Sequence, residues 1–464
     1  MSPAACAEHS RSSSRRATTS KKVSNPISMQ RLTVIGAGLA GSEAAWQAAE
    51  RGISVTLYEM RPTVGTPAHQ SDQCAELVCS NSLGSNLPGS APHLLKEELR
   101  RLGSLVMRSA DRHAVPAGGA LAVDRDLYGK EITQALENHP NIEFRREELK
   151  NIPKDRPVII ATGPLTSPDL SEEIAQIIGS EHLYFYDALS PIIDADTIDY
   201  SKAFFASRYG KGTDDYLNCP MNREQYQNFV NEINGAKKVV FKSFEKAAYF
   251  EGCVPIEELA RRGEKTLAFG PLKPVGLNHP ETGEKYAAVL QLRKENKEGT
   301  AFNLVGCQTK MTYPEQKRVF RMAPGLENAE FFRYGAIHRN TYINAPDSLN
   351  RDLSLKTDPD LYFAGQIVGV EGYVESCAMG MISGLGIARK LLDQPFELPP
   401  SQTAIGALLD YVSENRKANY QPMNINFGLF LQEGPRERDK KLRNAKIVQH
   451  ALDAQEQWMK EFAS

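Results

Sequence analysis

The sequence predicts an α/β fold: a Rossmann-like nucleotide-binding domain interrupted by an inserted α+β domain. Three observations carry this. Arg31–Met60, RLTVIGAGLAGSEAAWQAAERGISVTLYEM, sets strand, glycine turn, helix, strand and acid in order and at the spacing a dinucleotide requires. Two later stretches, Pro157–Pro164 and Leu361–Gly386, repeat the pattern of an apolar strand ending at glycine. Between them, from about residue 190 to 330, strands are shorter and aromatic and charged residues are denser. The chain thus divides into a disordered extension (1–28), a first part of the nucleotide-binding domain (29–190), an insertion (191–330) and a second part with C-terminal helices (331–464).

Leu32–Ile35 is a short apolar run suited to a buried parallel strand, and Ser42–Glu50 reads as the following helix. Gly36, Gly38 and Gly41 lie between them. The first permits the tight turn, the second lets backbone approach a pyrophosphate, and the third lets helix pack closely on strand. With Ala37, Leu39 and Ala40 they form the expected cradle, completed by the unpaired N–H groups of the helix N-terminus. The second strand, Ile53–Tyr58, ends in Glu59, placed to accept hydrogen bonds from a ribose hydroxyl, with Arg61 as a further expected contact. An acid there disfavours a phosphorylated ribose, so FAD or NAD fits better than NADP. The plain alternative is a glycine-rich turn between packed elements.

FAD is favoured over NAD by the later stretches. PVIIATGP turns at Thr162-Gly163, beside the expected dinucleotide. LYFAGQIVGVEGYVESCAMGMISGLG breaks at Gly365-Gln366 into a glycine-rich loop and a helix. The N-terminus of that helix could face a flavin's electron-rich pyrimidine edge. Ser71–Pro92 reads as an irregular loop over the cofactor, Asp124–Glu137 as a helix, and Ser401–Ser464 as mostly helical.

Composition narrows the class. The 464 residues, 41% of them apolar, describe a soluble globular protein, and no apolar run approaches the roughly 18–20 residues that span a bilayer. Seven cysteines without a C-x-x-C pair argue against a disulfide framework or a zinc site. Reduced thiols in a cytoplasmic compartment are the simplest reading, and no metal is expected. Net charge is −2, so any nucleic-acid site must be local. From Lys237 to Arg339 there are 18 Lys/Arg against 12 Asp/Glu, among them Arg261, Arg262, Lys317, Arg318, Arg321, Arg333 and Arg339. That window suits phosphates or a solvated face equally. The first 28 residues hold eight serines, five basic residues and one acid, a composition that stays disordered. They read as a transit-like segment or as sequence upstream of a start at Met29, the latter preferred.

Two cysteines sit among small or turn-forming neighbours where a thiol can be exposed: Cys79 in AELVCSNSLGS and Cys253 in YFEGCVPI. A thiolate is the competent nucleophile, and positive surroundings favour it. The bland alternative for either is a small buried hydrophobe. Cys6, Cys74, Cys219, Cys307 and Cys377 have weaker claims.

At this point the motifs become specific. From Met29 to about Gly434 the chain resembles the bacterial folate- and FAD-dependent tRNA (uracil-5-)-methyltransferases. The stretches are VIGAGLAGSEAAWQ, AELVCSNSLGS, GGALAVDRDLY, YFEGCVPIEELARRG, FGPLKPVGL, EQKRVFRMAPGLENAEFFRYGAIHRNTY, LYFAGQIVGVEGYVESCAMG and QPMNINFGL. A more distant likeness extends to FAD enzymes that modify wobble uridines in tRNA. The resemblance implies a glutathione-reductase-like FAD-binding domain and C5-methylation of uridine 54 in the tRNA T-loop. The carbon comes from 5,10-methylenetetrahydrofolate, reduced FAD supplies electrons, and NADPH or NADH reduces the flavin. Cys79 and Cys253 match the family's two implicated cysteines, and His338, Arg339 and Asn340 match a run of plausible substrate contacts.

Those residue types suit that chemistry. C5 of uracil is too weak a nucleophile to take a one-carbon unit unaided, and a thiolate adding at C6 gives it carbanion character. A base must then remove the C5 proton so that the thiol can leave. Cys79 or another nearby group could serve as that base, with Cys253 the favoured nucleophile. The uracil must also leave its stack. Gly306–Pro314, GCQTKMTYP, departs from the family, where Phe, His or Asn, and Trp-Gly are usual at Cys307, Lys310 and Tyr313-Pro314. The departure bears on folate contacts. Two alternatives stand beside this reading: flavin-dependent modification of another tRNA or rRNA uridine, and a non-catalytic FAD-containing tRNA-binding protein.

Overall fold

Short apolar runs that each end at a glycine or a polar turn build a sheet with its loops gathered at one end. The computed structural model describes residues 30–179, 183–210, 213–239, 249, 254–279, 282–414, 420–430 and 437–463. The expected extension 1–28 lies outside them. The main sheet has six strands, in the order Ser354–Leu355, Asp358–Phe363, Val158–Ile160, β1 (Arg31–Ile35), β2 (Ser54–Tyr58) and Ile142–Arg145. All neighbours pair parallel except the first two, which pair antiparallel. The Val-, Ile- and Leu-rich strands are those expected where both sheet faces are covered.

The helix after β1, α1 (Leu39–Ala49), begins three residues before the Ser42 expected from sequence. Gly38 is its N-cap, so the glycine motif lies partly inside the first turn rather than before it. A Cβ on Gly41 would lie 1.8 Å from the Gly36 carbonyl oxygen, which is why only glycine permits this approach. The Tyr373–Leu391 helix packs along α1 just as closely. A Cβ on Gly380 would lie 2.0 Å from Ala40 O, and one on Gly384 2.5 Å from Ala44 O. Asp124 caps Arg125–Glu137 by accepting a bond from Leu127 N. The Ser71–Pro92 segment is mostly irregular but contains the strand Ser82–Ser85, paired antiparallel with Ala120–Val123.

A second six-stranded sheet is built in order from Phe204–Phe205, Leu217–Met221, Ala288–Lys294, Ala301–Leu304, Ile192–Asp194 and Phe331–Arg333. It has its own apolar core, in which Leu290 and Leu292 meet Phe229 of the Arg223–Gly235 helix and Phe320 of the Tyr313–Phe320 helix. The first of these helices starts with a reciprocal capping box between Asn222 and Gln225. A two-stranded antiparallel ribbon, Leu183–Ala188 with Ile337–Tyr342, carries the chain towards this sheet and back. In its register His338 lies opposite Asp187 and Arg339 opposite Tyr186. Ala404–Ser413 and Lys440–Ala463 are helical. No helix among the described residues is long and apolar enough to cross a membrane.

Candidate active site

A cleft of about 410 Å³ opens at the carboxyl ends of the parallel strands, where their loops meet the ribbon. Its dinucleotide side is made largely of backbone. Gly36, Gly38, Leu39 and Ala40 line it, and a Cβ on Gly38 would meet no protein atom within 4 Å. The space beside Gly38 is therefore available to a ligand. Neither α1 nor the Tyr373–Leu391 helix has a side-chain bond at its N-cap, and both N-termini reach the cleft. Their N–H groups and partial positive charge fit a pyrophosphate and an anionic ring edge.

Glu59 and Arg61 also line the cleft and are buried. Glu59 accepts bonds from Ala37 N (2.9 Å) and from Arg61 N and Nε (3.0 and 2.9 Å). Burial opposes the Glu59 charge, but these donors outweigh it and hold the carboxyl below its ordinary range. Glu59 thus stays an acceptor, as a ribose hydroxyl needs. Arg61 continues to Glu76 at 3.0 Å. Thr162, Gly163, Gly365 and Gln366 line the same cleft. Two of the expected cofactor residues do not: Ala37 contributes its N–H to Glu59, and Gly41 serves the strand–helix approach.

The opposite side is built from side chains. Cys79 lines the cleft, its Sγ 3.9 Å from Ala188 O. Its backbone is fixed from several distant segments. Tyr373 Oη accepts bonds from Cys79 N (2.7 Å) and Ser80 N (3.1 Å). Arg333 donates to Val78 O (3.1 Å) and Cys79 O (3.3 Å), and Arg125 donates to Leu77 O (2.6 Å) while paired with Glu295 at 2.7 Å. Arg293 reaches Asn81 Oδ1 (2.9 Å) and Ser80 Oγ (3.1 Å). The cysteine loop is held at once from two helices, through Tyr373 and Arg125, and from the second sheet, through Arg293 and Arg333.

Among the described cysteines, Cys74, Cys219, Cys307 and Cys377 are buried, whereas Cys79 is half-buried. Burial pushes the Cys74 thiol up to about 12 and raises those of Cys219, Cys307 and Cys377 as well, which suits packing rather than nucleophilic roles. Cys253 and Cys6 lie outside the described residues.

His338 and Asn340 line the cleft; Arg339 does not, and its guanidinium sits 4.1 Å over the Tyr184 ring. Burial, then the charge of Arg333, lowers the pKa of His338. Residues that the sequence reading did not single out complete the site: Tyr373, Asp187, Glu371 and Glu375. The signal for the last two was present, since VEGYVES places acids in an otherwise apolar, glycine-rich stretch, one before the helix and one in its first turn. Burial, then the charge of Asp187, raises Glu371 well above the carboxylate range, and burial pushes Glu375 up to about 6.

The basic window divides. Lys317 and Arg321 pair with Glu330, Arg318 with Glu315 and Glu232, and Arg261 with Glu258. These behave as a solvated ion-pair face, while Arg333 turns inward to the cysteine loop. In the departing segment Cys307 is core, and Lys310 Nζ is engaged by Glu258 Oε1 (2.7 Å) and Tyr249 Oη (2.8 Å). Tyr313, more than half exposed, ends a stack that runs through Tyr334 (4.8 Å) to Phe331 (5.0 Å).

Comparison with known proteins places this geometry. Residues 31–395 match the family described as glucose inhibited division protein A. A methylenetetrahydrofolate–tRNA-(uracil-5-)-methyltransferase TrmFO of Syntrophotalea carbinolica is 55% identical over 436 residues, covering 94% of this chain and 95% of the relative. The protein of the same name from Citrifermentans bemidjiense is 56% identical over 435 residues, covering 94% of this chain and 100% of the relative. The chain belongs to the TrmFO family. The fold agrees: a structure of Aquifex aeolicus GidA superposes with a TM-score of 0.64 at 17% identity, over 93% of this chain and 78% of that one. TrmFO membership bears out the resemblance read from the sequence, and the GidA-like architecture bears out the α/β, FAD-binding fold class.

Proposed function

We propose that this chain methylates C5 of uridine 54 in the T-loop of tRNA, in the cytoplasm, taking the carbon from 5,10-methylenetetrahydrofolate. The carrying observation is that Cys79 and the dinucleotide cradle share one cleft. FAD would lie along Gly36–Ala40, with Glu59 and Arg61 at its ribose end and Gly365, Gln366 and the Tyr373–Leu391 N-terminus at its ring. Bound and reduced, it supplies the electrons that bring the one-carbon unit to the methyl level; NADPH or NADH restores it.

The protein's own groups do the rest. One of Cys79 and Cys253 provides the thiolate for uracil C6, and the other cysteine or another group of the cleft takes the C5 proton. Adding sulfur at C6 moves the ring π electrons to C5, which then bonds to the carbon unit. His338 and Asn340 contact the ring that has left its stack, and the exposed face of Tyr313 offers a surface for a neighbouring unstacked base. Arg333, Arg125 and Tyr373 hold the cysteine loop still while the ring enters.

The test is incubation of the flavin-loaded protein with an unmodified tRNA transcript, methylenetetrahydrofolate, and NADPH or NADH, with nucleoside mass spectrometry as readout. Folate-dependent 5-methyluridine, lost when the T-loop uridine is replaced by cytidine, is the expected result. Product on ribosomal RNA alone would move the substrate. No product, with tRNA binding retained, would favour a binding role.

A further inference from the structure

The methyltransfer chemistry needs a base for the C5 proton, and buried carboxyl groups line the cleft that holds Cys79. Glu371 lines the cleft two residues before Tyr373, the residue whose hydroxyl accepts the Cys79 and Ser80 N–H groups. Cys79 Sγ lies 3.9 Å from the carbonyl of Ala188, the residue after Asp187. Both acids line the same cleft as Cys79, and the charges of Asp187, Cys79 and Glu375 all act on Glu371.

Glu371 itself is 8% exposed. Its Oε2 accepts a bond from Gln366 Nε2 at 2.7 Å, and its backbone is tied to Met423 O and Asn424 Nδ2.

We propose that Glu371 is the base that removes the C5 proton from the sulfur-bound uridine. This rests on the methyltransferase reading above. With the ring bonded to cysteine sulfur at C6 and to the new carbon at C5, a Glu371 oxygen takes the C5 proton. The C5–H electron pair re-forms the C5=C6 double bond, and the C6–S bond breaks with its pair leaving on sulfur as thiolate. No electrons enter or leave in this step. Burial, then the charge of Asp187, raises the carboxyl's proton affinity, which makes its ionised form a stronger base.

The experiment uses Glu371→Gln and Glu371→Asp in the flavin-loaded full chain, with tRNA, methylenetetrahydrofolate and NADPH. For Glu371→Gln, 5-methyluridine formation should fall at least a hundredfold while an SDS-stable protein–RNA complex accumulates, because addition proceeds and elimination stops. Glu371→Asp, which keeps a carboxylate one carbon shorter, should retain slow turnover and show a larger rate effect from deuterium at uridine C5 than the unaltered protein. If Glu371→Gln sheds its flavin, the aspartate variant alone decides, by that isotope effect. Wild-type rates in both variants, or lost turnover with bound flavin but neither trapped complex nor enlarged isotope effect, overturn the assignment. If the unaltered protein makes no 5-methyluridine, the methyltransferase reading falls and this assignment with it.

Discussion

The two sides of the cleft are made by different means. The dinucleotide side is backbone: glycines whose missing side chains leave room, and helix ends whose N–H groups point inward. The thiol side is side chain: Tyr373, Arg125, Arg293 and Arg333, drawn from segments as far as about 290 residues away, all grip the loop of Cys79. Binding a constant group calls for shape and fixed dipoles. Chemistry at one atom calls for groups that can be placed, charged and moved independently.

Substitution of Cys79 should break the comparison most strongly. Cys79→Ala should lower 5-methyluridine formation by at least a hundredfold, on the order of 3 kcal/mol or more in the barrier, while flavin absorbance per chain is unchanged. Loss of flavin in step with activity would mean that the two sides are not separable.

The glycines sharpen it next. Gly41→Ala puts a Cβ 1.8 Å from a backbone oxygen, so the flavin-free protein itself should lose about 1–3 kcal/mol or more of stability in denaturant unfolding. Gly38→Ala adds its Cβ to open space. It should leave flavin-free stability intact and weaken FAD binding at least roughly tenfold in titration, since one methyl group in a pyrophosphate cradle costs about 1.4 kcal/mol or more. Equal effects from the two substitutions would contradict the assignment of Gly38 to the cofactor.

Tyr373→Phe removes the acceptor from two amide groups of the cysteine loop. A turnover loss of roughly tenfold with little change in the apparent affinity for tRNA is expected, as misplacement of a reacting atom predicts. A change confined to tRNA affinity would place the tyrosine elsewhere in the mechanism.

The smallest effect concerns His69, on the dinucleotide side, whose Nδ1 lies 2.6 Å from Thr66 Oγ1. Burial first and Arg61 second lower its pKa to about 4. The unfolded chain takes up a proton near pH 6.5 that the folded form resists, so stability present above about 6.5 is lost as pH falls towards 4. His69→Asn does not titrate and should flatten this limb by of order 1–2 kcal/mol, allowing for partial exposure. An unchanged slope of unfolding midpoint against pH would remove His69 from the linkage.

The same contrast explains what could be read from sequence. Strand, glycine turn, helix and acid follow one another within thirty residues, so local spacing discloses the cradle. Even there the start of α1 was expected at Ser42, because a cap provided by glycine backbone leaves no Ser, Thr, Asp or Asn to mark it. The thiol side has no period. Nothing in AELVCSNSLGS says that Arg333 will close on its carbonyls, and Arg333 reads in sequence as one of a row of basic residues. Lys317, Arg318 and Arg321 could not be told apart from phosphate ligands until their carboxylate partners were placed.

Gly380 meets Ala40 and Gly384 meets Ala44 in the same chain order, so α1 and the Tyr373–Leu391 helix run parallel, nearly backbone to backbone. Their dipoles lie side by side with like poles adjacent, an arrangement that repels itself. An anion at the shared positive end relieves the repulsion for both helices together. The flavin-free chain therefore carries a built-in electrostatic frustration at this pair. Loss of the cofactor should be felt first as faster amide exchange in the opening turns of both helices, in concert, while the strands beneath them keep their protection.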